Sequence, residues 1–352
     1  MADIIFTNRV GETLDRVVAD LYPASVVMLA DTNTARCVVP RLRETSAAAA
    51  QAPLITVGAG EACKSLDSLS AVWSRLGTLG ATRKSLLVNV GGGIVTDMGG
   101  FAASTFKRGM AFVNIPTTLL SAVDASSGGK TGINFGGLKN EIGVFGTPES
   151  VIVSTCFFDT LPHHELLSGY AEMIKHALLD SEAMFGRLTA STPDSHDADT
   201  LLGLIRESVA VKQRFVAADP LDTGVRHALN LGHTFAHAFE SLAMSRGAEL
   251  SHGYAVARGL VAALVLSHMQ AGMDTAPLYR LAAYVRENYG APAVTCDDYE
   301  ALLGFMRHDK KNDTAADIRF TLLGRVGEPL VKQPVPPAAI TAALDIWRDL
   351  LQ

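Results

Sequence analysis

Ser85-Leu-Leu-Val-Asn-Val-Gly-Gly-Gly-Ile-Val-Thr-Asp97-Met-Gly-Gly-Phe-Ala-Ala103 decides how the chain is read. Ser85–Val90 has the length and apolar continuity of a strand buried on both faces. Three glycines follow, and Ile94–Ala103 is a run of small and apolar residues able to wind as a helix. A strand, a glycine turn and a helix start bring unpaired backbone N–H groups to one point, where a diphosphate can approach closely. Most glycine turns after strands are only tight turns, and this one is not the G-x-G-x-x-G fingerprint. Its neighbours carry the reading further.

Met110–Ile115 is a second buried-strand run, ending at Pro116-Thr117-Thr118, so two hydroxyls stand at a strand's carboxyl end. Ligands of open α/β sheets sit at that edge. Asp124, Lys130, Asn134, Lys139 and Asn140 come next, scattered among Gly128, Gly129, Gly132, Gly136 and Gly137. This stretch is expected to be a mobile glycine-rich loop whose cations are worth ordering only around an anion. A lone lysine there would be a solvated surface group; two lysines and an asparagine point to a phosphate pocket.

The whole chain has 352 residues, 48% of them apolar and 19% charged, enough for two domains with a large core. Its net charge of −6, with basic residues dispersed, argues against nucleic acid as a partner. The longest apolar run, Leu260–Leu266, is far too short to span a bilayer, so no membrane association is expected. Met1–Arg9 has no signal-peptide pattern, and Cys37, Cys63, Cys156 and Cys296 form no framework. A cytoplasmic location is the expectation.

Strands are expected at Asp3–Thr7, Ser25–Ala30 and Pro53–Val57, alternating with helices that bury Leu14, Val17, Val18 and Leu21, then Leu66, Leu69, Val72, Trp73 and Leu76. Asp31, at a strand's carboxyl end, is placed either to take ribose hydroxyls or to cap the next helix. Alternation through Val153 is the pattern of a parallel sheet covered on both faces. Beyond Leu161-Pro162 helical periodicity takes over, at 166–179, 201–216, 227–244, 254–269 and 276–289. Ile318–Leu323 is the one later stretch with strand character, and 336–351 closes as a helix. The domain boundary is placed at 158/159.

The helical half carries ionisable residues in apolar surroundings. Glu172, Lys175 and His176 are helical neighbours, which read alone are a surface ion pair. Arg226, Asn230, His233 and His237 are expected on nearly one helical face, and His252 starts the next helix. Two histidines at i and i+4 can share a metal, although the pair lacks the glutamate of H-E-x-x-H; capping and hydrogen bonding are the other reading. One glutamate and two imidazoles would make a catalytic zinc set with an open position.

Asp124-Ala-Ser-Ser-Gly-Gly-Lys130-Thr-Gly-Ile-Asn134, Leu138-Lys139-Asn140, Glu172-Met-Ile-Lys175, Asn230-Leu-Gly-His233-Thr and Asp309-Lys310-Lys311 together resemble the 3-dehydroquinate synthase family, in order and at compatible spacings from about Asp31 to Lys311. The resemblance implies an α/β, Rossmann-like nucleotide-binding domain over 1–158, a mainly α-helical domain over 159–352, and a homodimer. It also implies an NAD- and divalent-metal-dependent, phosphate-eliminating carbon–oxygen lyase, with zinc or cobalt as the metal. Glu172, His233 and His252 fall at the family's metal ligands. Asp31, Glu61, Lys64, Gly92, Gly93, Asp97, Thr117, Thr118, Lys139 and Thr160 fall where it holds NAD. Asp124, Lys130, Asn140, Lys175, Lys212, Arg226, Asn230 and Lys310 fall where it holds a sugar acid phosphate. Arg108 matches an arginine reaching a neighbouring subunit's phosphate pocket. His237 matches a proton-transfer histidine, and Lys130, Lys175, Asp124 and Asp222 stand with it as catalytic candidates. Two departures are plain: Tyr254 stands where the family has the glutamate of His-Gly-Glu, and Asp222 where it has a glutamate. Another sugar phosphate cyclase and a metal-dependent polyol dehydrogenase are the rival readings.

Overall fold

The computed structural model describes residues 2–136, 138–307 and 318–352, so Lys310 and its neighbours lie outside the described residues. The chain divides into two compact units, Met1–Leu166 with Asp197–Arg206, and Leu167–His196 with Glu207–Gln352. Against an expected boundary at 158/159, the divide falls inside two helices. Residues 197–206 belong to the first unit because they are tied to it. Asn8 donates to Asp199 at 3.0 Å, Thr155 Oγ1 donates to the Ala198 carbonyl at 3.0 Å, and the Arg206 guanidinium lies 5.1 Å over the Phe6 ring.

In chain order the first unit contains β1 (Asp3–Phe6), α1 (Val10–Leu21), β2 (Val26–Asp31), the short helices α2 (Thr32–Cys37), α3 (Val39–Thr45) and α4 (Ala47–Gln51), and β3 (Leu54–Val57). It continues with α5 (Leu66–Thr78), β4 (Leu86–Gly91), α6 (Gly93–Thr105), β5 (Ala111–Pro116), α7 (Leu119–Val123), β6 (Lys130–Phe135), β7 (Leu138–Phe145) and β8 (Ser150–Val153). Six strands make one sheet, ordered β1-β8-β5-β4-β2-β3, and every pairing in it is parallel. Alternation along β2 shows why the strands read as continuous apolar runs: Met28 and Ala30 enter one core, Val27 and Leu29 the other. The first core is closed by α1 and α3, the second by α5 and α6.

Two asparagines interrupt this apolar sheet. Asn89 on β4 donates to Asn114 on β5 at 2.9 Å, and Asn114 donates to the Ser126 carbonyl at 3.1 Å. The pair fixes the segment after α7, which carries Asp124.

The expected glycine-rich loop after Asp124 is instead the antiparallel hairpin β6–β7, with Thr131 opposite Val144 and Ile133 opposite Ile142. Its glycines permit close pairing: a Cβ on Gly143 would lie 2.0 Å from the Thr131 carbonyl oxygen. They serve the ladder, not mobility.

The second unit takes most of α8 (His163–Leu178), then α9 (Glu182–Leu188), most of α10 (Ala198–Ala218), α11 (His233–Ser245), α12 (His252–Ala271), α13 (Thr275–Tyr289) and α14 (Tyr299–Arg307). A hairpin of β9 (Ile318–Arg325) and β10 (Glu328–Val335) follows, then α15 (Pro337–Leu351). Strand β10 lies outside the sequence expectation because Pro329 and Pro334 break the pattern; a strand paired on one side only, with bulges, tolerates them. The expected single helix over 227–244 is two segments. Val225–Asn230 is a 3-10 turn, Gly232 adopts φ 78°, and α11 starts at His233. A side chain at 232 would meet Leu260 N at 2.9 Å as well as that left-handed backbone, so glycine alone allows the break. Arg226 and Asn230 therefore do not share a helix face with His233 and His237. Among the described residues, no helix is long and apolar enough to cross a membrane.

Candidate active site

In the first unit, β4 ends and α6 begins across Gly92, with no side-chain cap on the helix N-terminus. Thr117 and Thr118 stand beside this turn: Thr117 N donates to the Gly91 carbonyl at 3.0 Å, and the Thr118 side chain caps α7 through Ser121 N at 3.1 Å. Asp97 lies on α6, within about one turn of the uncapped start. Lys64, only 4% exposed, donates to Asp97 Oδ2 at 2.6 Å and to Asn140 Oδ1 at 2.5 Å. Asn140 N donates to Asn134 Oδ1 at 2.9 Å, and Asn134 Nδ2 donates to Glu61 Oε1 at 2.8 Å. Residues expected at a cofactor (Glu61, Lys64, Asp97) and at a phosphate (Asn140) thus form one network. Its hairpin end is bent to reach, since Asn140 sits at φ 52°.

The other expected residues of this unit have plainer surroundings. Asp31 Oδ1 accepts from Asn33 N and Thr34 N, so its carboxylate caps α2. Thr160 Oγ1 donates to the Phe157 carbonyl. Lys130 and Lys139 are exposed on the hairpin, and Asp124 ends α7. Arg108 sits at φ 68°, after Lys107 at φ 50°, which makes two successive left-handed non-glycine residues. Strain of that kind is retained where a side chain must be aimed.

The second unit gathers its charges around Glu172 on α8. This carboxylate is fully buried, and Lys175 Nζ pairs with Oε2 from the next turn of the helix. His233 Nε2 lies 3.4 Å and His252 Nε2 3.3 Å from Oε1. Glu172, His233 and His252 can each offer one ligand atom within 4.8 Å of the others. Neither Glu172 oxygen has a well-aligned hydrogen bond, an arrangement that costs stability unless something else satisfies it.

The electrostatics of the cluster agree with that need. Burial would raise the Glu172 pKa, but Lys175 and the imidazoles hold it well below the usual carboxylate range. Burial and Lys175 push His233 down to about 4, against the pull of Glu172. Burial opposes the shift, but the Glu172 and Glu240 carboxylates on either side carry His252 up to about 10. A carboxylate held toward its ionised form beside two imidazoles suits a divalent cation of the zinc type.

Two close approaches and a hydrogen bond hold this set. Gly253 packs on Ser168 of α8, Gly259 on Gly232, and Gly253 N donates to Ser168 Oγ at 3.1 Å. His237 lies one turn after His233, ring edge to face at 5.6 Å. Lys212 and Arg226 are buried, each 4% exposed. Asp219, which sequence reasoning missed, shapes the Arg226 loop: its carboxylate accepts from Thr223 N, Gly224 N and Arg226 N at 2.7–3.2 Å. Asp222 sits at φ 59°, and its carbonyl lies 2.9 Å from His227 Nε2.

Taken whole, the chain shares its fold with two solved cyclases. One is 2-deoxy-scyllo-inosose synthase complexed with carbaglucose-6-phosphate, NAD+ and Co2+: TM-score 0.83, 22% identity, 98% of this chain and 96% of that one. The other is 2-epi-5-epi-valiolone synthase from Streptomyces hygroscopicus, with NAD+ and Zn2+ bound: TM-score 0.83, 24% identity, 99% and 97% coverage. The fold is the one these two synthases have. Residues 54–168 match the family model of the 3-dehydroquinate synthase N-terminal domain, and 169–312 that of its C-terminal domain. The 3-dehydroquinate synthase of Parabacteroides distasonis is 43% identical over 346 residues, 98% of each chain. The chain belongs to the 3-dehydroquinate synthase family.

Proposed function

We propose that the chain converts 3-deoxy-D-arabino-heptulosonate 7-phosphate to 3-dehydroquinate and phosphate with the residues described above. In the reaction C5 gives up a hydride and its hydroxyl a proton, and the ketone formed acidifies the C6 proton. Loss of that proton expels phosphate from C7; the hydride returns to C5, the ring opens, and an intramolecular aldol closes the carbocycle. Redox balances to zero. When bound, a nicotinamide dinucleotide would take up and return the hydride, and a divalent cation, zinc or cobalt, would act as Lewis acid toward the C5 oxygen.

The residues fit those groups in separable roles. Glu172, His233 and His252 hold the cation, with Lys175 keeping the carboxylate charged. The uncapped turn at Gly92 and Gly93, with Glu61, Lys64, Asp97, Thr117, Thr118 and Lys139, holds the dinucleotide; Asp31 and Thr160 border it. The proposed division is then a dinucleotide-binding half before residue 159 and a metal- and acid-binding half after it. Lys130 and Asn140 hold the phosphate, and Arg108 completes that pocket in a second copy of the chain, making a homodimer. Lys212 and Arg226 grip the carboxylate, for which a guanidinium's forked donors are well shaped, and Asn230 and Lys310 are further substrate-binding residues. His237, Asp124 and Asp222 are the proposed proton-transfer residues.

One observation carries this reading beyond family membership: a fully buried glutamate whose Oε1 faces two imidazoles without an aligned hydrogen bond, while its Oε2 meets Lys175. The test is phosphate release from the heptulosonate phosphate, with and without a chelator. Stoichiometric phosphate with no net NADH, and loss of phosphate release on chelation, are expected. Net NADH without phosphate would make it a polyol dehydrogenase. Faster turnover of a sugar phosphate lacking the carboxylate would make it another cyclase.

A further inference from the structure

Helix α11 presents three polar side chains at i, i+4 and i+7: His233, His237 and Glu240. That spacing puts them on one face over two turns. The first two were expected near the metal; Glu240 was not, and it is buried, 8% exposed. Its Oε1 lies 3.6 Å from Nδ1 of His252, while the other nitrogen of the same ring, Nε2, lies 3.3 Å from Glu172 Oε1. The His252 imidazole therefore stands between two carboxylates from two different helices. One nitrogen faces the candidate ligand set and the other faces Glu240.

An imidazole that ligates a metal through one nitrogen is oriented, and its tautomer set, by what accepts from the other. The family's own carboxylate, two residues after the histidine, is Tyr254 here. That position is about 200° round the helix from His252. The Tyr254 ring packs edge-on against Tyr289, centroids 5.0 Å apart and planes at 71°. A carboxylate at 254 would look toward Tyr289 and away from the imidazole.

We infer that Glu240 is the positioning residue of the metal site, holding His252 with Nδ1–H toward its carboxylate and the Nε2 lone pair toward the cation. This rests on the metal reading proposed above. Tyr254, in contrast, is a packing residue, and its departure from the family pattern leaves the metal site unchanged.

The experiment titrates full-length Glu240→Gln, Glu240→Ala and Tyr254→Phe, each stripped of metal, with zinc against a chromophoric chelator. Glu240→Gln keeps the shape but loses the charge, so its zinc affinity falls about tenfold; Glu240→Ala approaches a hundredfold loss. Glu240→Asp recovers part of the loss, and Tyr254→Phe binds as the parent does. The melting temperature of metal-free Glu240→Gln stays within about 2 °C of the parent's, which separates positioning from general damage to the fold. Parental zinc affinity in both Glu240 variants, beside a tight-binding parent, overturns the inference and leaves the metal reading standing. A Tyr254→Phe loss as large as that of Glu240→Ala also overturns it. A parent chain that binds no zinc overturns the metal reading and this inference together.

Discussion

Gly253→Ala should damage the metal set through backbone contact alone. A Cβ at 253 would lie 2.0 Å from the Ser168 carbonyl oxygen, 2.3 Å from Ser168 Cα and 2.4 Å from its carbonyl carbon. All three are main-chain atoms in the middle of α8, so no side chain can swing aside. Ordinary contact starts at 3.4 Å, so the start of α12 must retreat from α8 by 3.4 − 2.0 = 1.4 Å along that line. His252 precedes the new methyl and Glu172 lies one turn beyond Ser168. The retreat therefore opens the metal set itself. Ligand distances tolerate about 0.2 Å, so the shift is roughly seven times too large.

Overpacking of this kind costs about 1–3 kcal/mol of stability. Zinc affinity should also fall more than tenfold, because one ligand is carried away from the other two. Competitive zinc titration and calorimetry of the metal-free protein measure the two effects separately. A Gly253→Ala protein with parental zinc affinity and an unchanged melting temperature would falsify the close approach of α12 to α8 and the account of why glycine is needed there.

His233→Ala should abolish metal binding and turnover while the parallel sheet of the first unit stays folded, and a full zinc complement in this variant would remove His233 from the ligand set. Asp97→Ala leaves the buried Lys64 without its carboxylate and should weaken NAD binding by about tenfold or more, since a charged hydrogen bond contributes about 1.5–3 kcal/mol; an unchanged NAD titration would make the glycine turn purely structural. Backbone N–H groups of Thr223 and Gly224, with that of Arg226, hold the Asp219 carboxyl down to about 2 from its usual 3.8. A depressed carboxylate contributes stability above its unfolded pKa and loses it as pH falls, so the window runs from about 3.8 down to about 2. The parent's stability should drop more steeply across that window than that of Asp219→Asn, and parallel acid titrations would refute the assignment. Mixing Arg108→Ala with Lys130→Ala chains should restore activity above either parent, because about half of randomly assembled two-fold dimers then hold one intact site; no recovery after confirmed subunit exchange means Arg108 serves its own chain.

The parallel sheet was legible because each central strand is buried on both faces and so reads as an unbroken apolar run between turns. The β6–β7 hairpin was not, because Gly132 and Gly143 are there for cross-strand approach while glycine in a sequence signals flexibility. Strand β10 hid behind two prolines that only a strand paired on one side accepts. The break before His233 was invisible to periodicity, since helical spacing carries smoothly from Arg226 to His237 and only the backbone of Gly232 interrupts it. Glu172, His233 and His252 could be named from their chemistry, but their meeting depends on Gly253 and Gly259, whose roles appear only when the helices are packed. Asp219 and Glu240 escaped notice because a single acid within an amphipathic stretch reads as a solvated one. Each is recognised by what its carboxylate faces.

The two units also divide the physics of the molecule. The core of the sheet is apolar, relieved by a pair of asparagines that satisfy each other in part, and it would stabilise a fold whatever the chain does. The helical unit buries Glu172, Lys175, His176, Lys212 and Arg226, each no more than 4% exposed. Desolvating an ion costs several kcal/mol even after relaxation, and well-packed apolar side chains would commonly stabilise such positions at least as well. His176 has Ser208 Oγ 2.8 Å from its Nδ1. Around Glu172 the nearest charged groups are a lysine on its own helix and two imidazoles that repel one another once protonated. A set of charges that weakens the unit holding it, and relaxes when a cation and an acid arrive, is the arrangement expected of a site whose stability is completed by its ligands.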